Sequence, residues 1–430
     1  METFFKLKDH GTTVGREFIA GLTTFLTMAY ILAVNPGMLG SIGNGMTPGA
    51  VFTATVIASA TATLFMAFFA NLPIALAPGM GLNAFFTYTV VFGMGYSWQV
   101  ALAAVFCEGI LFLLLSLFNV REAIVKAIPV NLKKAVAVGI GMFIALIGFK
   151  NGGIIVQNDA TLVALGSFKA APAMVSVIGL ILIIILYTKK IPGAILLGIL
   201  ITTVIGIPFG VTRLPENFSP FSIPDAPLLF QFDFSQFMTL KFFIVFFTFL
   251  FVDIFDTIGT LVGVTTQAKI SKNGEIPNIK QALLADAVGT VVGAGLGTST
   301  VTSYVESTAG VAQGGRTGLT SVFTALFFLL ALFLSPLFLL IPSAATAGAL
   351  IMVGFLMMYS ASEIDFHKPT EGIPAFFTIV MMPFSYSIAE GIVWGIISFV
   401  ILKFVCGKFK EISTITWVLF AIFVIRFIFK

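Results

Sequence analysis

Charge is what this chain has least of. Lys, Arg, Asp and Glu make up 10% of its 430 residues, against about 25% in soluble globular proteins. With 58% hydrophobic residues and a mean hydropathy of +1.07, kept up along nearly the whole length, a soluble domain on a single anchor is excluded. The two cysteines, Cys107 and Cys406, both sit in apolar runs, which excludes a disulfide framework and a thiolate metal site. The two histidines are His10, in the N-terminal tail, and His367, in a loop. There is no HExxH and no close Cys/His cluster, so neither a metal nor a cofactor is expected, and a membrane-embedded enzyme lacks its nucleophile–base pair. The formal net charge of +4 is scattered through short loops, which argues against a nucleic-acid partner. The opening "METFFKLKDHGTTVGREF" is too polar for the apolar region of a signal peptide, and none is expected.

What is there is a series of apolar runs, the mark of an all-α polytopic protein of a lipid bilayer. They fall near 17–37, 48–70, 79–92, 97–118, 130–149, 171–188, 192–208, 240–265, 278–297, 302–312, 317–341, 344–361, 372–385 and 386–405. That is about fourteen segments, and a further run at 412–429 either spans or lies along the interface. With the N-terminus cytoplasmic, seventeen Lys and Arg fall in inward loops, Arg121, Lys126, Lys272 and Lys403 among them. Only Lys150, Lys169, Arg213 and Lys241 fall outward. The positive-inside bias therefore predicts a multi-pass cell-membrane protein with a cytoplasmic N-terminus.

Two segments are too short and too polar to be ordinary spans: "LAPGMGLNAFFTYTVV" (76–91) and "GLGTSTVTSYVESTAGV" (295–311). Each begins with glycines and small residues and then turns helical. Each is third in its half of the chain, which makes them the third and tenth of fourteen. Interrupted segments at matching positions point to a transporter's binding site, because a broken helix exposes backbone donors at mid-membrane depth. Glycine alone would be explained by close helix packing. Asn83, Ser303, Tyr304 and Glu306 in the same places would not.

Acids supply the rest. In "FVDIFDTIGTL" (251–261), Asp253, Asp256, Thr257 and Thr260 recur at i, i+3, i+4 and i+7, forming one polar stripe on an apolar helix. Such a stripe faces protein or a water-filled cavity, and carboxylates at that depth are functional by default. The competing reading is a structural pair satisfied by neighbouring Thr and backbone. Glu306 has no Lys or Arg within a helical turn. Asp286 stands level between the two readings, and Glu108 and Glu390 lean structural or gating. Lacking cationic partners, these carboxyls are tolerated as neutral acids, which makes Asp253, Asp256 and Glu306 candidate proton carriers. A planar neutral ligand with several N–H donors suits the acids, and the rings of Phe85, Phe86 and Phe255 could stack on it. An anion transporter or channel of the same architecture is the nearer rival, but it would call for a cation where acids stand.

Five stretches, "GLTTFLTMAYILAVNP", "LAPGMGLNAFF", "FVDIFDTIGTL", "TSTVTSYVESTAGVAQGGRTGLT" and "IPAFFTIVMMPFSYSIAEGIVWG", resemble the AzgA-like purine permeases of the nucleobase:cation symporter-2 group. The resemblance covers nearly the whole chain. It implies the fold of uracil permease, two inverted seven-segment repeats forming a core and a gate domain. The core would take 1–118 and 240–341, the gate 119–208 and 342–405. An extracellular loop at 209–239 and a C-terminal segment at 406–430 complete the chain. It also implies uptake of a purine nucleobase, hypoxanthine or guanine ahead of adenine, with a proton rather than sodium as the coupling ion. Carried over by position, Asp253 is similar to the eighth-segment acid that binds the base, and Asp256 to that branch's second acid. Thr257 stands where uracil permease has a histidine. Glu306 is similar to the tenth-segment acid, with Tyr304 before it, and Asn83 to the third-segment asparagine. Oligomeric state stays open, a homodimer included.

Overall fold

The computed structural model describes residues 2–117, 129–215, 218–270 and 276–428. Three of the loop cations used for orientation, Arg121, Lys126 and Lys272, lie outside the described residues, as does the side chain of Phe255.

The first apolar run is not one helix. It forms α1 (Val14–Met28) and α2 (Ile31–Gly40), parted at Ala29 and Tyr30. Then come α3 (Pro48–Phe65), which ends in a wide π turn to Ala70, β1 (Leu76–Pro78), α4 (Met80–Ala84) with a π-helical continuation to Gly93, and α5 (Trp98–Leu117). Next are α6 (Val130–Asn151), a hairpin of β2 (Ile155–Asn158) and β3 (Leu162–Leu165), α7 (Ala171–Thr188) and α8 (Ala194–Gly206). After the long loop come α9 (Leu240–Gln267), α10 (Ile279–Leu296), β4 (Val301–Ser303), α11 (Ser307–Ala312), α12 (Gly318–Ala331) and α13 (Ser335–Leu339). The chain closes with α14 (Ser343–Met357), α15 (Pro369–Phe384), α16 (Ile388–Val405) and α17 (Thr414–Ile428).

Among the described residues, ten helical stretches are long and apolar enough to cross a membrane, and shorter apolar helices stand at Met80–Gly93, Ala194–Gly206 and Thr414–Val424. Their starts are set by local chemistry. Thr47 caps α3 by accepting from the Ala50 N–H, with Pro48 in the first turn. Thr317 caps α12 in the same way. Gly297 ends α10 with φ 95°, a conformation that glycine adopts freely.

The described residues divide into two compact units. One takes in the chain to Leu117 and then Ile147–Met352; the other takes in the stretch ending at Leu146 and everything from Val353. In the second, Ala135, Val138, Ile364, Ala375 and Ile379 make the core. Lys403, read from sequence as a loop cation, instead stands in the last turn of α16, buried against Glu371 and Glu411. Its long stem lies along apolar surface while its ammonium finds two carboxylates. The Glu411 contact and an edge-on packing of Phe404 on Trp417 hold α17 to α16.

In the first unit the two interrupted segments meet. β1 and β4 pair antiparallel, Leu76 opposite Ser303 and Pro78 opposite Val301. The pairing continues as Gly79 N–H to Thr300 O and Tyr304 N–H to Ala75 O, each 3.0 Å. Each strand thus supplies the partner that the other's broken helix lacks, which backbone buried at this depth requires. A Cβ on Gly79 would fall 2.6 Å from Thr302, so the close approach demands a glycine there. The opposed directions are those expected of inverted halves.

Candidate functional site

Around this crossing gather most of the residues that the sequence nominated. Residues 298–302 read Thr-Ser-Thr-Val-Thr, and each hydroxyl reaches a buried polar group on a different element. Thr298 accepts from Asn35 Nδ2 of α2 at 2.9 Å. Ser299 donates to Asn83 Oδ1 of α4. Thr300 donates to Glu108 of α5 at 2.7 Å. Thr302 lies 2.8 Å from the Thr257 hydroxyl of α9. Residues 298–300 are the irregular stretch that leads into β4, and their small side chains let the backbone pass close to several helices at once.

Asn83 is fully buried, and its Nδ2 points to Pro78 O at 3.4 Å. Tyr304 donates to the same carbonyl at 2.6 Å. Both side chains therefore brace the turn from β1 into α4. Phe85, also fully buried, packs edge-on against Phe249 of α9, ring centres 4.9 Å apart. Ser303 donates to Thr257 O at 3.3 Å.

The polar stripe of α9 faces inward as the i, i+3, i+4, i+7 spacing requires. Asp253 and Thr257 are fully buried and Thr260 nearly so, while Gly259 and Val262 on the far side are exposed. Asp256 is half-buried and stands close enough to Asp286 and Glu306 for their charges to interact. The Thr257 oxygen has three partners: Asp253 Oδ1 at 3.2 Å, Asp286 Oδ1 of α10 at 2.7 Å, and Thr302 at 2.8 Å. A hydroxyl has one proton and two lone pairs. It can donate to one carboxyl only, so the other bonds to it by donating. All three contacts are hydrogen bonds only when at least one of Asp253 and Asp286 is the protonated acid. The arrangement can hold a proton between two helices.

Glu306 precedes α11 and is half-buried. Its carboxylate accepts from the Tyr30 hydroxyl at 2.6 Å. Sequence reading passed over Tyr30, Ser299, Thr302 and Asn35. Asn35 and Tyr30 are polar interruptions in an apolar run, which was the available signal; the hydroxyls of 298–302 could have been weighed as a set. Glu17 was missed as well. It is fully buried in α1 and accepts from the Arg316 and Thr320 N–H groups at 3.0 and 2.9 Å, fixing the start of α12. Of the remaining acids, Glu390 belongs to the second unit, in the first turn of α16.

Residues 15–394 match the model of the Permease family. Over its whole length the chain is 46% identical to the guanine/hypoxanthine permease PbuG of Bacillus subtilis, covering 100% of both proteins. It is 43% identical to the adenine permease AdeQ of Escherichia coli, covering 100% of this chain and 96% of that one. Among solved structures, the transmembrane domain of the cyanobacterial bicarbonate transporter BicA is similar in fold, with a TM-score of 0.66 at 16% identity over 89% of this chain and 97% of that domain.

Proposed function

The chain belongs to the Permease family, and from that premise we infer that it carries purine nucleobases across a cell membrane. One observation carries the reading most: identity of 43–46% over the full chain to permeases named for adenine and for guanine and hypoxanthine. The acids at the crossing support it. A purine presents N–H donors at its rim, and carboxylates accept them. The reading places the base between the two breaks, with Asp253 and Glu306 accepting its N–H groups and Phe85 beside its ring. Asn83, Thr257, Ser303 and Tyr304 shape the place.

In the same reading the coupling ion is a proton, carried by Asp253, Asp256 and Glu306. Its support is the hydroxyl of Thr257, which needs a protonated carboxyl beside it. The N-terminus is cytoplasmic, and a core of 1–118 and 240–341 moves against a gate of 119–208 and 342–405 to expose the site to each side in turn. The test is uptake of labelled hypoxanthine, guanine and adenine into proteoliposomes with an imposed pH gradient, with and without sodium, and with sulfate as the rival cargo. Purine accumulation that follows the pH gradient without sodium supports the reading. Sulfate uptake without purine uptake overturns it.

A further inference from the structure

The break between α1 and α2 has no proline or glycine of its own. It falls at Ala29 and Tyr30, and Tyr30 is 1% exposed. A buried tyrosine needs a partner for its hydroxyl, and this one donates to Glu306 Oε1 at 2.6 Å, 276 residues along the chain. One turn earlier, Thr27 Oγ1 lies 3.4 Å from the main-chain oxygen of Glu306. The Thr27 proton has nearer acceptors in Thr24 O and Thr23 O, at 2.9 and 3.0 Å, so the first segment holds residue 306 by its side chain, through Tyr30.

The contact depends on a close approach of α11 to α1. Gly310 permits it: a Cβ there would fall 2.1 Å from Thr24 Oγ1 and 2.5 Å from Ala20 O. Among the described residues, Tyr30 is the one side chain that hydrogen-bonds to Glu306. It engages a single oxygen, Oε1, and residue 306 is half-buried. A carboxylate gripped at one oxygen cannot rotate freely, and it presents its other oxygen in a fixed direction. Preorganised acceptors bind more tightly than mobile ones, because the ordering is complete before the ligand arrives.

We propose that Tyr30 is a positioning residue for the substrate, acting by fixing the Glu306 carboxylate so that one oxygen is turned to an N–H of the base. The proposal rests on the transport reading above and adds to it a residue of the first segment. It makes the turn at 29–30, where α1 passes into α2, part of the binding site, since that turn carries the grip on Glu306.

Tyr30→Phe removes the hydroxyl and keeps the ring, so the packing survives. In purified protein, binding of labelled hypoxanthine should weaken roughly tenfold, the size expected for losing a hydrogen bond to a charged group. In proteoliposomes the KM should rise by a similar factor while maximal turnover stays within about twofold. In a Glu306→Ala background, Tyr30→Phe should cause no further loss. Wild-type binding by Tyr30→Phe, a fall in turnover at unchanged KM, or an equal further loss in the Glu306→Ala background would each overturn the proposal. Wild-type protein that binds no purine would instead sink the transport reading.

Discussion

The hydroxyl of Thr257 and the carboxyl of Asp286 are joined across two helices by a hydrogen bond of 2.7 Å. Replacing Thr257 with valine keeps the shape and deletes an oxygen to which Asp253 and Asp286 both hydrogen-bond. Leaving a buried polar group unsatisfied costs about 1–3 kcal/mol, so Thr257→Val should unfold earlier in detergent and lose proton-driven accumulation, while Thr257→Ser should retain both. Thermal unfolding and gradient-driven uptake, measured side by side, check this. Valine with wild-type behaviour in both assays would remove Thr257 from the coupling scheme.

Asp253→Asn should block accumulation of purine against its gradient. Asp256→Asn mimics a permanently protonated acid; it should still exchange labelled for unlabelled purine yet fail to concentrate it. The two are separated by uptake into liposomes with an alkaline interior, followed by counterflow with no gradient. If both variants still concentrate purine, the coupling proton belongs to Glu306 or Asp286.

Glu306→Gln keeps the shape and one acceptor oxygen but loses the charge. A charge-assisted hydrogen bond is worth about 1.5–3 kcal/mol, so purine affinity should fall roughly ten- to hundredfold with expression unchanged. Equilibrium binding to purified protein is the measurement, and an unaltered Kd refutes the role.

Asn83→Ala should abolish uptake without unfolding the protein, because the Ser299 bond and the reach toward Pro78 O are lost together. Ser299→Ala removes only the first and should retain part of the activity. Full activity in Asn83→Ala would reduce that residue to a helix-start role.

Gly310→Ala should depress uptake, and Gly310→Val should do so more strongly. The added atoms collide with Ala20 O and Thr24 Oγ1 and push α11 off α1, an overpacking that typically costs about 1–3 kcal/mol. Binding should weaken in step with uptake, since Glu306 precedes the displaced helix.

Much of this was legible in the residues. Apolar runs located the helices, and the glycines at 79 and 297 marked the two breaks. The spacing of Asp253, Asp256 and Thr257 announced a buried face that the packing of α9 confirms. The break at Ala29–Tyr30 was not legible, since hydropathy runs on through it and no glycine or proline stands there. The pairing of β1 with β4 joins residues more than 220 positions apart, and no local pattern encodes a partner at that distance. Thr257 was legible as a member of the polar stripe, at the place where uracil permease has a histidine. Its bonds to Asp286 and Thr302, which lie on other elements, were not. Lys403 read as a loop cation because a lone lysine at the end of an apolar run ordinarily is one; the two glutamates that receive it are remote in sequence or lie beyond the helix end.

The frame of the site is made of main-chain bonds between β1 and β4, which, apart from the glycine required at 79, do not depend on the acids around them. Selection can therefore act on the hydroxyls and acids around the crossing without disturbing what holds the two halves in register. Exchange of an acid beside the crossing for a cation is the kind of change expected to alter the cargo while the β1–β4 bonds persist. Change of substrate within this architecture should accordingly trace to a few positions on four or five elements, and chimeras that swap only those positions, leaving 76–78 and 301–303 untouched, are where such a change should first be sought.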